Sequence, residues 1–144
     1  MVDVHIVLGA AVLLSSLITG LWGGHAWFRQ RPSVGFWYAL RITQVAVSVQ
    51  VMVGTLLLFL GHEAEDTLHY VYGGLPLLVS LFGEGARAGA ANQEIGDTDF
   101  EALPPDRQHL LALAIVRRET GIMAISCIVI FFLALRAAGT STLF

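Results

Sequence analysis

The sequence predicts an all-α integral membrane protein: one up-and-down bundle of four transmembrane helices with both termini on the outer side of the membrane. Of its 144 residues, 56% are hydrophobic and only 13% are charged, whereas soluble domains carry about 25% charged residues. Four long apolar stretches are separated by polar links. Because each crossing of the hydrocarbon core takes about 20 apolar residues, the four helices account for nearly the whole chain as a single domain.

The predicted helices span about 4–27, 36–61, 67–90 and 108–138. The first link carries the helix-stopping Pro32, and the second is acidic, with Asp66 or Thr67 as N-cap of the third helix. The semi-amphipathic stretch 109–116 predicts a segment along the membrane surface before the last crossing. The amino terminus has no basic region before its apolar run, so we expect the first helix to be retained rather than cleaved as a signal peptide.

The arginines predict the orientation, because basic residues near helix ends stay on the cytoplasmic side. Nearly all of them fall on the side of links one and three: Arg29, Arg31, Arg41, Arg87, Arg107, Arg117 and Arg118. Only Arg136 falls on the opposite side, and the chain has no lysine. We therefore expect a multi-pass protein of a bacterial cell (inner) membrane, in contact with lipid, with links one and three inside. The arginines are scattered, which excludes a nucleic-acid-binding face.

Polar and small residues recur on one face of the first helix and again on one face of the third. At about 100° per residue, these faces comprise His5, Gly9, Ser16, Thr19, Gly20 and Gly23, and then His69, Gly73, Ser80, Gly83, Glu84 and Arg87. The His, Gly and Ser offsets match, as in a weak parallel repeat. Both helices run inward from the outer side and are diagonal neighbours in an up-and-down bundle. His5 and His69 should therefore face each other across the core at similar depth.

Two imidazoles at matched depth, each followed one turn later by a glycine, suit a haem held between two helices. Imidazole nitrogen ligates iron, and the missing side chains of Gly9 and Gly73 leave room for a flat macrocycle. Pro76 would kink the third helix and widen the pocket. The competing explanation is that small residues permit close helix packing and the histidines are solvated at the interface. It predicts a cofactor-free accessory or assembly subunit of a membrane complex.

His62 ends a stripe on the second helix that also contains Arg41, Gln44, Ser48 and Thr55, so the stripe predicts that His62 reaches the bundle interior at the outer end. There it has three possible roles: an alternative iron ligand, a contact for a quinone headgroup, or a helix cap.

Four further groups of residues have a predicted functional or structural role. His62 beside Glu63, Glu65 and Asp66 predicts, as an alternative, a protein that binds a metal through histidine and acid. His25 and His109 form a weaker second pair at the other end, because neither has a glycine one turn away. Opposite charges should pair in a structural network of Glu84, Arg87, Arg117, Arg118 and Glu119. Gln50 and Gly54 lie on a different face of the second helix, at a predicted helix contact.

Three short sequences carry a resemblance to a known family: HIVLG at 5–9, QVMVG at 50–54 and LHYVYG at 68–73. They resemble one four-helix half of the haem A synthases, in which a histidine opens one helix, Gln-x-x-x-Gly sits in the next, and Leu-His opens the one after. The family's histidines ligate a haem, so the resemblance implies His5 and His69 as ligands of a b-type haem. A haem near the outer face suits electron transfer with a quinol or an outer-face partner, or haem handling during respiratory-enzyme assembly.

The chain departs from that family in three ways. It has four predicted helices instead of eight, Val2 stands where the family has a catalytic glutamate, and Ile6 replaces an arginine. We therefore expect no catalytic residue and no complete haem A synthase. The partners of such a haem protein would be a quinone or a respiratory complex, and a second copy would restore eight helices in a homodimer.

Overall fold

Four α-helices form the described part of the chain. The computed structural model describes residues 1–64 and 66–140, with helices α1 (Val2–Phe28), α2 (Val34–Phe59), α3 (Leu68–Ile95) and α4 (Pro105–Ala138). The all-helical, four-helix fold class is confirmed. Most boundaries lie within two or three residues of the predicted ones. The exception is the end of α3, which continues past the predicted end near residue 90 to Gly96, a glycine with φ of 54°.

The helices pack as an up-and-down bundle in which α4 makes the largest contacts. It packs along both α1 and α3, α1 also packs on α2, and the contact between α2 and α3 is slight. α1 and α3 are therefore diagonal, and a gap separates α2 from α3. This arrangement brings the amino-terminal ends of α1 and α3 to the same end of the bundle.

The bundle is apolar outside and partly polar inside. Phe28 and Phe59 are each 83% exposed, while Ser16, Thr19 and Thr43 are at most 1% exposed. The buried hydroxyls are satisfied inside the bundle, because Thr19 Oγ1 and Thr43 Oγ1 lie 3.0 Å apart and Ser16 Oγ donates to the carbonyl of Val12. A soluble bundle has the opposite distribution, whereas helices in lipid bury hydroxyls and small residues against one another.

Three helices in the described part of the chain, α1, α2 and α4, are long and apolar enough to cross a membrane. α3 is less apolar because it carries His69, Glu84 and Arg87 among its aliphatic residues. α4 has 34 residues in one uninterrupted helix, and about 1.5 Å per residue makes it about 50 Å long. The stretch 109–116 is part of this helix, as in the predicted span 108–138.

The interior face of α2 differs from the predicted one. Its buried residues are Phe36, Leu40, Thr43, Val47 and Leu57. The predicted polar stripe lies to one side of that face: the side chain of Arg41 is 53% exposed, and Thr55 and His62 are exposed as well. The prediction assumed that every polar residue of a membrane helix points into the bundle. α2 instead turns its stripe toward the gap beside α3, where Arg41 and Gln44 hydrogen bond to Glu84.

Candidate cofactor site

The first and third helices bring His5 and His69 together at one end of the bundle. Their ring centroids lie 6.1 Å apart, and the ring planes are tilted by 59°. Each histidine sits in the first turns of its helix, and the diagonal placement of the two helices turns both rings toward the same space. The two residues predicted to face each other are therefore neighbours.

His69 is oriented by the main chain of α4. Its Nδ1 lies 3.0 Å from the carbonyl oxygen of Ala137, which also accepts a hydrogen bond from Thr140 Oγ1. A carbonyl only accepts, so Nδ1 of the neutral ring carries the proton and Nε2 keeps its lone pair. Histidines that ligate a metal commonly donate their other ring N–H to a carbonyl in this way.

His5 is oriented by α2. Gln50 Nε2 lies 3.4 Å from His5 Nε2, and the backbone of Gly54 lies against the His5 ring so closely that a Cβ there would be 3.0 Å from Cε1. Among residues 1–64 and 66–140, two buried side-chain polar atoms have no hydrogen-bond partner: His5 Nδ1 and Gln50 Oε1. The predicted helix contact at Gln50 and Gly54 is thus a contact with His5 itself.

A cavity of about 820 Å³ surrounds the two histidines and extends into the gap between α2 and α3. All four helices line it, with apolar side chains and the glycines Gly9, Gly54, Gly73 and Gly74. A Cβ on Gly73 would meet nothing within 4 Å, so this position opens onto free space, whereas a Cβ on Gly9 would lie 3.2 Å from Gln50. Buried Pro76 also lines the cavity. The volume is that of an ordinary cofactor pocket, about 300 to 1,000 Å³.

His62 terminates α2 at the mouth of this cavity. Gly61 has φ of 82°, and the N–H groups of Gly61 and His62 donate to the carbonyls of Leu58 and Leu57, both at 3.0 Å. This is a Schellman cap. The backbone of His62 therefore caps the helix, and its side chain is exposed at the cavity mouth rather than in the interior as predicted.

The acidic link beside His62 is held by its own hydrogen bonds. Asp66 Oδ1 accepts from the N–H of Leu68 at 2.9 Å, and the N–H of Ala64 donates to Tyr70 Oη at 2.7 Å. Thr67 occupies the N-cap position without a side-chain cap bond, so Asp66 supplies it. Glu65, named above in the metal alternative, lies outside the described residues. Within the described ranges, 1–64 and 66–140, no group of three His, Cys, Asp or Glu side chains is placed to hold a metal ion.

An ionic network ties α2, α3 and α4 further along the bundle. Glu84 accepts from Arg41 Nη1 and Gln44 Nε2 at 2.7 Å each and from Arg87 Nε at 3.0 Å, and Arg87 lies 3.7 Å from Glu119. Arg41 and Gln44 were not predicted members. Arg118 instead pairs with Glu94 on α3, and Arg117 makes no ion pair among the described residues. The second predicted pair, His25 and His109, has exposed side chains and no ring contact in the part of the chain described.

No protein-family model, curated protein or solved structure matches this chain. The resemblance to half of a haem A synthase therefore stays an expectation based on short motifs. The chemistry of the site rests on its own geometry.

Proposed function

We propose that this is an integral-membrane haem-binding protein in which His5 and His69 are the axial ligands of one b-type haem. The observation that carries the proposal is the 6.1 Å separation of the two ring centroids. Metal–imidazole bonds of about 2 Å place two ligating nitrogens about 4 Å apart, and each ring centre lies about 1 Å behind its nitrogen. Two histidines that share one metal therefore have centroids about 6 Å apart.

The surroundings of His5 and His69 fit a haem. A porphyrin supplies four nitrogens to the iron, so two protein ligands are enough, and a cluster of three or more ligating side chains is not needed. The Ala137 carbonyl leaves a lone pair on His69 Nε2, and His5 Nδ1 is a buried nitrogen without a partner among the described residues. The apolar cavity beside the rings, open at Gly73, offers room for a flat macrocycle.

A bound haem would supply one-electron chemistry, with a potential set by the ligands, their hydrogen bonds and burial. The arginine distribution supports an orientation in which the histidine end and both termini face outward, with α3 as a fourth crossing held in the bundle by α4. In that orientation the site suits electron exchange with a quinol or a respiratory complex, or haem handling during respiratory assembly. Val2 at the position of the family's catalytic glutamate argues against oxidation of the haem itself.

The test is the reduced-minus-oxidised absorption spectrum of the detergent-purified protein from haem-replete cells. We expect the bands of a low-spin, six-coordinate haem at one haem per chain. His5→Ala and His69→Ala should each abolish these bands and lower the haem content. A folded, colourless preparation would contradict the proposal and favour a cofactor-free subunit, and stoichiometric copper or zinc without haem would favour the metal-binding alternative.

Two matched histidine variants make this test specific. His25→Ala changes a residue that lies on the same helix as His5 but at its other end. His62→Ala removes an exposed imidazole at the cavity mouth. Neither should change the spectrum. Loss of the spectrum in His62→Ala with retention in His5→Ala would show that the ligand pair is different.

A further inference from the structure

The contact between His5 and Gln50 places an amide group against one imidazole nitrogen and leaves the other nitrogen without a partner among the described residues. When Gln50 Nε2 faces His5 Nε2, that ring nitrogen must accept a hydrogen bond. The proton of the neutral ring then lies on Nδ1, buried and unbonded, and the one lone pair is occupied. A histidine in this state is not ready to bind a metal.

Turning the amide exchanges oxygen and nitrogen at the same place, since the two atoms are nearly equal in size. Gln50 Oε1 then accepts a hydrogen bond from His5 Nε2–H. The unbonded proton disappears from Nδ1, which gains a free lone pair, and the amide nitrogen takes the position in which Oε1 had no partner among the described residues. His5 would match His69, whose ring N–H already donates to the carbonyl of Ala137.

The structure provides specific room for this pair of side chains. A Cβ on Gly9 would lie 3.2 Å from Gln50 Nε2, and a Cβ on Gly54 would lie 3.0 Å from His5 Cε1. α1 thus has a glycine, Gly9, where Gln50 of α2 lies. α2 has a glycine, Gly54, where the ring of His5 lies. The Gln-x-x-x-Gly spacing places Gln50 and Gly54 one turn apart on the face of α2 that meets α1.

We propose that Gln50 is the positioning residue of the site, and that its carbonyl oxygen holds the proton of His5 on Nε2 so that Nδ1 is the nitrogen free to bind the ligand. The effect of Gln50 on haem binding rests on the proposed function, whereas the protonation state of His5 is a property of the protein without haem. The partner of His69 is a main-chain atom, which no substitution removes. The partner of His5 is a side chain, so the properties of the site can be tuned at Gln50.

The first experiment measures histidine tautomers in the unloaded protein, by long-range proton–nitrogen correlation spectra of histidine-labelled samples in detergent. We expect opposite tautomers in the wild type, with the proton on Nε2 of His5 and on Nδ1 of His69. Gln50→Leu should turn His5 into a mixture of tautomers and leave His69 unchanged. A wild-type His5 protonated on Nδ1, or a His5 signal that does not respond to Gln50→Leu, overturns the proposal.

The second experiment measures haem affinity and midpoint potential. Loss of a partner to a ligating histidine lowers affinity about 10- to 100-fold, and we expect that decrease in Gln50→Leu. Gln50→Glu should instead retain haem and lower the potential, because a carboxylate withdraws the Nε2 proton more strongly and makes the ligand more electron-rich. Unchanged affinity and potential in both variants of a haem-loaded protein overturn the positioning role.

Ser48→Ala is the control, since Ser48 lies on the same helix and bonds only to the carbonyl of Gln44 among the described residues. It should leave the tautomers, the affinity and the potential as in the wild type. If the purified protein carries no haem while the wild-type tautomers are as expected and respond to Gln50→Leu, the positioning role of Gln50 stands and the haem proposal fails. The two failures are therefore distinguishable.

Discussion

The two halves of this bundle differ in how closely they are packed and in whether their polar groups have partners. The arginine half, which holds Gly23, Phe36 and Glu84, is closely packed, with Phe36 fully buried and the carboxylate of Glu84 bonded by three side chains. The histidine half, which holds His5, Gln50 and His69, contains a cavity of about 820 Å³ and two buried polar atoms without partners among the described residues. In one half the polar groups are bonded to one another, and in the other the fold leaves a cavity and polar atoms without partners among the described residues.

This difference has a physical meaning. Cavities and unpaired buried polar groups both cost folding free energy, so a chain retains them where something else is gained. The slight contact between α2 and α3 is consistent with the cavity between their ends, and the Glu84 network links the same two helices elsewhere. The contrast makes substitutions of the same kind behave differently in the two halves.

The largest effect is expected for Gly23→Ala. A Cβ there would lie 2.9 Å from Ala124 Cβ and from Phe36 Cδ2, both in the packed core, so the helices must separate. We expect a loss of about 3 kcal/mol in the free energy of unfolding, at the upper end for overpacking, measured by reversible unfolding in detergent with tryptophan fluorescence. Gly24→Ala and Gly73→Ala are the matched controls, because neither Cβ would meet an atom within 4 Å. A loss at Gly73 equal to that at Gly23 would contradict the contrast between the halves.

The second effect concerns the ionic network. Glu84→Gln removes the charge that Arg41 and Arg87 share, and hydrogen bonds to charged groups contribute about 1.5 to 3 kcal/mol. Because side-chain exposure at Glu84 is 28%, we expect a loss of about 2 kcal/mol in the same unfolding assay. Glu94→Gln is the control. Its partner Arg118 is 45% exposed, so its ion pair should contribute less than about 1 kcal/mol. Equal losses would show that the network adds nothing beyond single pairs.

A smaller effect is expected from the hydroxyl pair that joins α1 and α2. Thr43 Oγ1 donates to the carbonyl of Ala39, so Thr19 Oγ1 donates to Thr43. Thr19→Val keeps the shape and removes this bond, and interhelical bonds of this kind average about 0.6 kcal/mol. Double-mutant cycles with Thr43→Val measure the coupling. A coupling energy near zero would mean that the pair contributes through packing alone.

How much of this arrangement could be predicted differs between the fold and the site. Composition and apolar length sufficed for the four helices, and periodicity with helix direction was enough to bring His5 and His69 together. The contact between Gln50 and His5 could not be predicted, since a periodicity argument describes one helix and the two residues lie on different helices. Its available signals were an amide between apolar residues and the glycine one turn later.

The error on α2 has a similar origin. The polar stripe through Arg41, Gln44 and His62 was assigned to the interior because hydrocarbon does not solvate polar groups. In the structure Arg41 and Gln44 are satisfied at the edge of the bundle by Glu84, and Thr43 is a fully buried polar residue of α2. The predicted ionic network lacked Arg41 and Gln44 for the same reason. Its members come from three helices, and sequence spacing does not determine how helices are rotated against one another.

The smallest effect, and the most informative for the contrast, is expected for Gln50→Leu in the unloaded protein. Removal of the amide eliminates one buried amide atom without a partner, and it also ends the 3.4 Å contact, which leaves a ring nitrogen of His5 unpaired. The two changes oppose each other, because an unpaired buried polar atom costs about 1 to 3 kcal/mol in either place, so we expect the free energy of unfolding to change by less than about 1 kcal/mol. A loss above about 1 kcal/mol would mean that Gln50 stabilises the fold, as Glu84 does. A neutral or stabilising outcome, together with a disturbed His5 tautomer, would show that the histidine half keeps this amide for its ligand and not for its own stability.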